Sequence, residues 1–270
     1  MKKYFLREET FGYTFYDKSV LRHKFLTKSE VEDFLKEKGI DKNDCDIFYS
    51  DGRARNDILY SPIRIYYELT LACDLRCKFC FNNSGKPRPN ELTTDEVIKS
   101  LEALKRANVM DVRFTGGEPT QRKNWFEILK EAKKLGFAVS CNTNANYSDN
   151  SIPEQLSKLN LEQVTVSVDG TKAHHEQNRG KNTFRRVIKN IELMHRLGIK
   201  LRFNTLVSKY NIDDVEFMVE LASKYATEIN FFVVRFIGRG SHLGETHSVD
   251  MKKFKKMSLR AAELQKNITN

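Results

Sequence analysis

The sequence predicts an α/β protein with a mostly parallel sheet, preceded by a small β-rich module. Three observations carry that expectation. From about residue 59, short β-branched and aromatic runs alternate with amphipathic helical segments, the pattern of successive βα units, and six units can be counted. Glycines such as Gly136 and Gly198 stand where the intervening helices should end. Before residue 59 the pattern is different, with closely spaced aromatic strands and a single helix.

Residues 1–58 form the small module. Tyr4-Phe5-Leu6, Gly12-Tyr13-Thr14-Phe15-Tyr16 and His23-Lys24-Phe25-Leu26 read as three strands, with a turn at Asp17-Lys18-Ser19. Thr27 or Ser29 then starts a helix carrying Val31, Phe34 and Leu35, and Gly39 stops it. The polar run from Asp51 to Asp57 reads as a linker. Cys45, between Asp44 and Asp46 and far from the other cysteines, reads as a bystander.

The core domain, 59–248, carries strands at roughly 62–70, 110–114, 137–143, 163–168, 199–206 and 229–236. Thr93 and Glu96 make a capping box ahead of Val97, Leu101 and Leu104 at helical spacing. Phe184, Val187, Ile188, Ile191 and Met194 mark a later helix closed by Gly198. Residues 249–270 add one more helix from Met251 to about Lys266, and its lysine run has the spacing of a wet face.

Strand parity separates two faces of the sheet. Thr165, Ser167 and Asp169 share one face and Val164, Val166 and Val168 the other. Ser140, Asn142 and Asn144 likewise oppose Val139, Cys141 and Thr143. Arg202 and Asn204 oppose Leu201 and Phe203, and Arg113 pairs with Thr115. Helices must cover the apolar set, so the polar set is expected to line a wet cavity, unlike the branched apolar filling of an ordinary closed barrel. Arg113, Asp169, Arg202 and Arg235 are placed near the site by this parity, and no general acid or base is assigned. Cys141 is expected to pack under the helices.

Composition narrows the function class. No apolar stretch approaches a membrane span, and the charged start shows no secretory signal. Five cysteines, three of them in one loop, do not make a disulfide framework, so a reducing cytoplasm is the expected compartment. Lys and Arg number 46 against 36 Asp and Glu, a formal charge of +10. Such a balance favours acidic partners, but the charge is scattered, and nucleic acid is not expected among them.

The chemistry concentrates in Leu69-Thr70-Leu71-Ala72-Cys73-Asp74-Leu75-Arg76-Cys77-Lys78-Phe79-Cys80. Three thiolates from one short loop can ligate three irons of a cubane cluster and leave the fourth open. An open position is what a catalytic metal site needs and a closed structural site lacks. The alternatives are a zinc loop, for which no fourth Cys or His lies near in sequence, and a trio of reduced core cysteines. After the second predicted strand comes Thr115-Gly116-Gly117-Glu118-Pro119, at the carboxyl end where parallel α/β folds build their sites. Its glycines let the backbone approach a ligand, and Glu118 can take an ammonium group.

On these residues the chain resembles the radical S-adenosylmethionine (SAM) enzymes. Cys73, Cys77 and Cys80, with Phe79 just before the last, match that family's cluster motif. Gly116, Gly117, Glu118 and Pro119 match its segment that holds the methionine amino group. The resemblance implies a partial (β/α)6 TIM barrel and a [4Fe-4S] cluster whose fourth iron is chelated by the amino and carboxylate groups of SAM. It implies reductive cleavage of SAM to methionine and a 5′-deoxyadenosyl radical that abstracts hydrogen, with a flavodoxin- or ferredoxin-type protein as electron donor. In such enzymes the cofactor does the hard chemistry while the protein orients and shields it.

Ser61-Pro62-Ile63-Arg64-Ile65 through Cys80, then Ser167-Val168-Asp169-Gly170, His175, Arg179-Gly180 and Phe184, resemble the peptide- and protein-modifying branch over roughly residues 60–240. That branch includes the pyrroloquinoline quinone and mycofactocin maturases, the sactipeptide synthases and the anaerobic sulfatase maturases. It implies a ribosomally made precursor peptide as substrate, with a cross-link or epimerisation as outcome. By position Ser167 and Arg179 correspond to residues that hold the SAM carboxylate and ribose region. Asn144 falls in a Thr-Asn-Gly segment whose glycine is here Ala145, and Asp74 stands where asparagine is usual. The N-terminal module resembles the start of a peptide-recognition element that binds a leader by strand addition.

Many members carry a cysteine-rich C-terminal extension with auxiliary clusters. Here no cysteine follows Cys141, so either one cluster suffices or the chain ends before that extension begins. Two other readings stay open. One is radical SAM tailoring of a small molecule or nucleotide. The other is a non-catalytic iron–sulfur redox sensor, which would need the cysteines but not the Gly-Gly-Glu-Pro segment or the polar lumen.

Overall fold

The computed structural model describes residues 2–49 and 58–269, so the linker expected from Asp51 to Asp57 lies outside the described residues. The chain divides into two compact units, one of Met1–Tyr66, Leu92–Arg113 and Glu127–Ser140, the other of Tyr67–Glu91, Phe114–Phe126 and Cys141–Asn270.

In the first unit the three expected strands are β1 (Tyr4–Glu9), β2 (Gly12–Asp17) and β3 (Arg22–Thr27), followed by α1 (Glu30–Glu37). A fourth strand, β4 (Cys45–Phe48), was not expected. It pairs parallel to β1 and completes a sheet of order β3-β2-β1-β4. Four residues with mixed polarity carry no local strand signal, and a parallel partner some forty residues away supplies the ladder. Ser29 makes no side-chain cap. Thr27 holds that end of α1 instead, through its N–H and hydroxyl, both donating to Glu30 at 2.8 Å.

An apolar cluster packs on each face of this sheet. Leu6, Phe15, Leu26 and Cys45 pack with Val31 and Leu35 of α1 on one side. Phe5, Tyr16 and Leu21 pack with Met110 and Ala138 on the other. Arg7 is fully buried at its border. Its Nε donates to Glu9 at 2.7 Å, and its two terminal nitrogens reach the Ser61 hydroxyl (2.7 Å), the Ser61 carbonyl (2.8 Å) and the Asn108 carbonyl (3.0 Å). Glu9 is further held by the Thr14 hydroxyl and the Tyr60 N–H. Nearby, the Tyr16 hydroxyl donates to Asp111 at 2.6 Å, and Arg64 pairs with the same carboxylate.

The six βα strands follow as β5 (Arg64–Thr70), β6 (Asp111–Gly116), β7 (Ala138–Thr143), β8 (Gln163–Ser167), β9 (Leu201–Val207) and β10 (Glu228–Val233). They lie in the order β10-β9-β8-β7-β6-β5, and β8, β9 and β10 pair in parallel. The sheet therefore has two edges, β5 and β10, as a partial barrel does. The intervening helices are α2 (Thr94–Arg106), α3 (Trp125–Lys134), α4 (Ser151–Lys158), α5 (Lys172–Arg179), α6 (Phe184–Arg196) and α7 (Val215–Tyr225). The Thr93–Glu96 capping box forms on α2, and Gly136 and Gly198 take the left-handed conformation after α3 and α6. In β9, Leu201, Phe203, Thr205 and Val207 are buried while Arg202, Asn204 and Leu206 are half-exposed, which is the alternation that parity requires.

After the short α8 (Gly244–His247), α9 (Met251–Thr269) lays Met257 against Val215 and Val219 of α7. Lys252, Lys253, Lys255 and Lys256 remain on its wet face.

Candidate cluster and SAM site

β5 delivers the chain to the cysteine loop, and main-chain bonds tie off the base of that loop. The Gly85 N–H donates to the Leu71 carbonyl at 2.7 Å and the Cys73 N–H to the Gly85 carbonyl at 3.2 Å. The Glu91 carboxylate accepts the Leu71 N–H (2.7 Å) and the Thr70 hydroxyl (2.8 Å), so the turn out of the strand is held by one side chain. Within the loop, the Lys78 N–H reaches the Asn178 carbonyl just before Arg179.

All five cysteines are free thiols; Cys73, Cys77 and Cys80 are half-buried, whereas Cys45 and Cys141 are buried in packing positions. Among the described residues, no three Cys, His, Asp or Glu side chains are gathered about one point that could hold a single ion. The Leu75 N–H points at the Cys73 sulfur at 3.4 Å, and the Asn144 amide lies 3.8 Å from it. Burial pushes the Cys73 thiol up to about 12. It pushes Cys77 up as well, opposed by the guanidinium charges of Arg179 and Arg239. Ligation must therefore release protons from these thiols.

The Gly-Gly-Glu segment leaves β6 alongside this loop. The Gly117 N–H donates to the Thr70 carbonyl at 2.7 Å and the Glu118 N–H to the Ala72 carbonyl at 2.8 Å. A Cβ on Gly116 would stand 2.2 Å from the Thr70 oxygen, and one on Gly117 2.2 Å from the Ala72 oxygen. The close approach that demands two glycines is thus to the base of the cysteine loop itself. Pro119 follows as the first residue of a 3-10 turn.

Glu118 is only 1% exposed. It accepts the Asn144 N–H at 2.7 Å, the Thr120 hydroxyl at 2.9 Å and the Thr143 hydroxyl at 3.0 Å. Burial nevertheless pushes its carboxyl up to about 7 against the pull of those donors. None of these donors carries a positive charge.

Asn144 links the parts. Its N–H meets Glu118 while its side-chain amide donates to Asp74 at 2.7 Å, beside Cys73. Asn146 donates to the other Asp74 oxygen at 2.8 Å. The chain turns between them at Ala145, which takes φ +53 in place of the glycine expected there. The buried Asn190 amide donates to the Ala145 and Tyr147 carbonyls and secures that turn.

On β8, Ser167 is half-buried at the carboxyl end, in register with Asn204. Asp169 just beyond is fully buried and takes Arg179 through Nε (2.7 Å) and a terminal nitrogen (3.2 Å). The Arg179 guanidinium lies 5.2 Å over the Phe79 ring, so α5 and the cysteine loop meet here. His175, pushed down to about 4 by burial and by Arg179, accepts the Asp169 N–H at Nδ1 and is neutral at ordinary pH.

The expected site residues thus fall together in the second unit. Among the arginines, one parity expectation does not hold: Arg202 sits at the amino end of β9 beside Glu228, away from the carboxyl end. Arg113 pairs with Asp111, and Arg235 is exposed on the stretch that follows β10. Thr143, assigned by parity to the helix-covered face, instead binds Glu118, because β7 ends there and the left-handed Ala145 reverses the chain. Asn146, Thr120 and Arg239 were not foreseen; a polar run after a strand is the only linear signal that marks the first.

The family described as the Radical SAM superfamily matches residues 67–222. The chain is 30% identical over 185 residues to mycofactocin maturase MftC of Mycolicibacterium smegmatis, covering 68% of this chain and 47% of that protein. It is 30% identical over 210 residues to the sporulation killing factor maturation protein SkfB of Bacillus subtilis (75% and 50%). It is equally 30% identical over 197 residues to an AdoMet-dependent heme synthase of Methanosarcina barkeri (72% and 56%). The chain spans about half the length of the curated relatives it matches. Among solved structures, Streptococcus suis SuiB bound to its precursor peptide SuiA superposes with a TM-score of 0.78 at 17% identity, over 97% of this chain and 69% of that one. At that identity the likeness concerns the fold.

Proposed function

We propose that this chain, which belongs to the radical SAM superfamily, acts as the catalytic part of a peptide-modifying enzyme. The family's cofactors are a [4Fe-4S] cluster and SAM. The residues fit both: three free thiols share one loop, and a buried carboxylate whose hydrogen-bond donors are all uncharged adjoins the base of that loop. Cys73, Cys77 and Cys80 would hold the cluster. Gly116, Gly117, Glu118, Pro119, Asn144, Ser167, Phe79 and Arg179 would surround SAM, Glu118 accepting from its amino group. When bound, the pair supplies one-electron cleavage of SAM and hydrogen-atom abstraction from the substrate.

The protein's own residues orient and shield. Asn144 ties the Glu118 turn to the Cys73 loop, and Asp169 fixes the Arg179 fork over Phe79. The single observation that carries the reading is the pair of main-chain bonds from Gly117 and Glu118 to Thr70 and Ala72, which joins the two motifs into one site. An acidic one-electron donor of the flavodoxin or ferredoxin type would serve it, in a reducing compartment. Among the described residues no helix is long and apolar enough to cross a membrane.

For the substrate, similarity to two peptide maturation proteins and to a precursor-bound fold favours a peptide. β3 supports it: it is an edge strand with Arg22, His23, Lys24 and Phe25 exposed and only Leu26 buried. An extended leader could add there by main-chain hydrogen bonds. The heme synthase similarity favours a second reading, a tetrapyrrole substrate. Anaerobic turnover tests both. Reduced, reconstituted protein should form 5′-deoxyadenosine, faster with the cognate precursor peptide than with a tetrapyrrole, and Phe25→Asp should reduce only the peptide's stimulation. Stimulation by tetrapyrroles alone would transfer the case to the second reading, and a cluster-bearing protein that never cleaves SAM would return it to the sensor.

A further inference from the structure

The stretch Val234-Arg235-Phe236-Ile237-Gly238-Arg239-Gly240 follows β10, and in the structure it lies across the cysteine loop. Arg239 grips that loop in three places. Its N–H donates to the Cys80 carbonyl at 2.9 Å, its Nε to the Cys77 carbonyl at 2.9 Å, and a terminal nitrogen to the Ser84 carbonyl at 2.7 Å. The flanking glycines permit this. Gly238 is left-handed at φ +58, and a Cβ there would stand 2.2 Å from the Phe81 oxygen and 2.6 Å from the Cys80 oxygen. A Cβ on Gly240 would stand 2.7 Å from the Arg235 oxygen.

β5 and β10 are the two edges of the six-stranded sheet. The loop follows the first and the Arg239 segment follows the second, so these contacts join the edges at the carboxyl end, where the sheet itself does not close.

We infer that Gly238-Arg239-Gly240 is a clasp that positions the cysteine loop, with Arg239 as its positioning residue. The loop is also held at its base through Gly85 and Glu91, at Lys78, and at Asp74 by Asn144 and Asn146; among these, Arg239 is the residue that bonds the Cys77 and Cys80 carbonyls. Three ligands that must match one rigid cluster lose affinity if the loop between them samples many conformations. A planar guanidinium spans two carbonyls at once, which a lysine ammonium on a flexible stem does not.

The inference rests on the reading of Cys73, Cys77 and Cys80 as cluster ligands, and two measurements separate them. Hydrogen exchange of the cofactor-free chain reports on the loop alone, and iron release from reconstituted protein to a chelator reports on the cluster. Arg239→Ala should raise exchange within residues 73–85 and release iron roughly tenfold faster or more, as the loss of two charge-assisted hydrogen bonds implies. Arg239→Lys should recover little of that protection; full recovery would assign the effect to charge and overturn the clasp. If Arg239→Ala fails to fold by circular dichroism, Gly238→Ala lifts the backbone with the side chain retained, and the same loop-restricted increase is expected. Unchanged exchange and iron release in either variant, or exchange rising evenly over the chain, would overturn the inference. A chain that takes up no iron, yet whose loop loosens in these variants, would remove the cluster reading and leave the clasp standing.

Discussion

Glu118 shows how much one buried side chain can determine. In the ligand-free fold its carboxyl is pushed up to about 7 by burial, so the neutral form is favoured there. A raised folded-state value contributes stability that is fully present below the ordinary carboxylate range and lost as pH rises through about 7. A SAM amino group that donates its N–H to Glu118 demands the opposite, ionised form. SAM affinity should therefore fall as pH drops below about 7, by roughly tenfold per unit at the limit. Glu118→Gln should weaken binding by roughly 1.5–3 kcal/mol at pH 8 and flatten that acid limb. Calorimetric titration across pH 5.5–8 checks both; an acid limb that persists unchanged in the variant would assign it to another group. The cysteines and Glu118 were legible because linear spacing encodes them. Thr143, Asn146 and Arg239 were not. The first two depend on a left-handed turn at a non-glycine residue, and Arg239 on contacts more than 150 residues apart in the chain.

At the scale of elements, the N-terminal sheet is bound into its unit by more than a linker. Phe5 and Tyr16 share a core with Met110 and Ala138, and Arg7 is a fully buried charge with Glu9 as its ion partner. Removing one member of such a pair leaves the other buried and unmatched. Arg7→Leu should cost roughly 3–5 kcal/mol of unfolding free energy, well beyond the loss of side-chain contacts alone. Urea unfolding measures it, and a loss below about 1 kcal/mol, the scale of an exposed pair, would show that water reaches Glu9. Deleting residues 1–58 would strip one face from Met110 and Ala138, so point substitutions on β3, rather than truncation, isolate any role in peptide binding. Strands β1 to β3 and α1 were readable from aromatic runs and a terminal glycine. β4 was not, since its partner is distant in sequence and its own pattern is featureless.

Across the whole molecule, the six βα strands begin and end within three residues of their expected bounds, because apolar runs, caps and terminal glycines agree with one another. What periodicity could not supply is how the ends of an open sheet are brought to one site. The structure supplies it through main-chain bonds: Gly117 and Glu118 to Thr70 and Ala72 from one side, Arg239 to Cys80 from the other. Both sets fasten the same loop, which would hold a single cluster open to SAM. Electron paramagnetic resonance of the dithionite-reduced, anaerobically reconstituted protein, with iron counted in the same sample, tests it most directly. About four irons per chain and one [4Fe-4S] signal that shifts on adding SAM are expected. That signal should be lost in Cys73→Ala, Cys77→Ala or Cys80→Ala and kept in Cys45→Ala and Cys141→Ala. About eight irons per chain, a signal indifferent to SAM, or a cluster lost with Cys141 would contradict it.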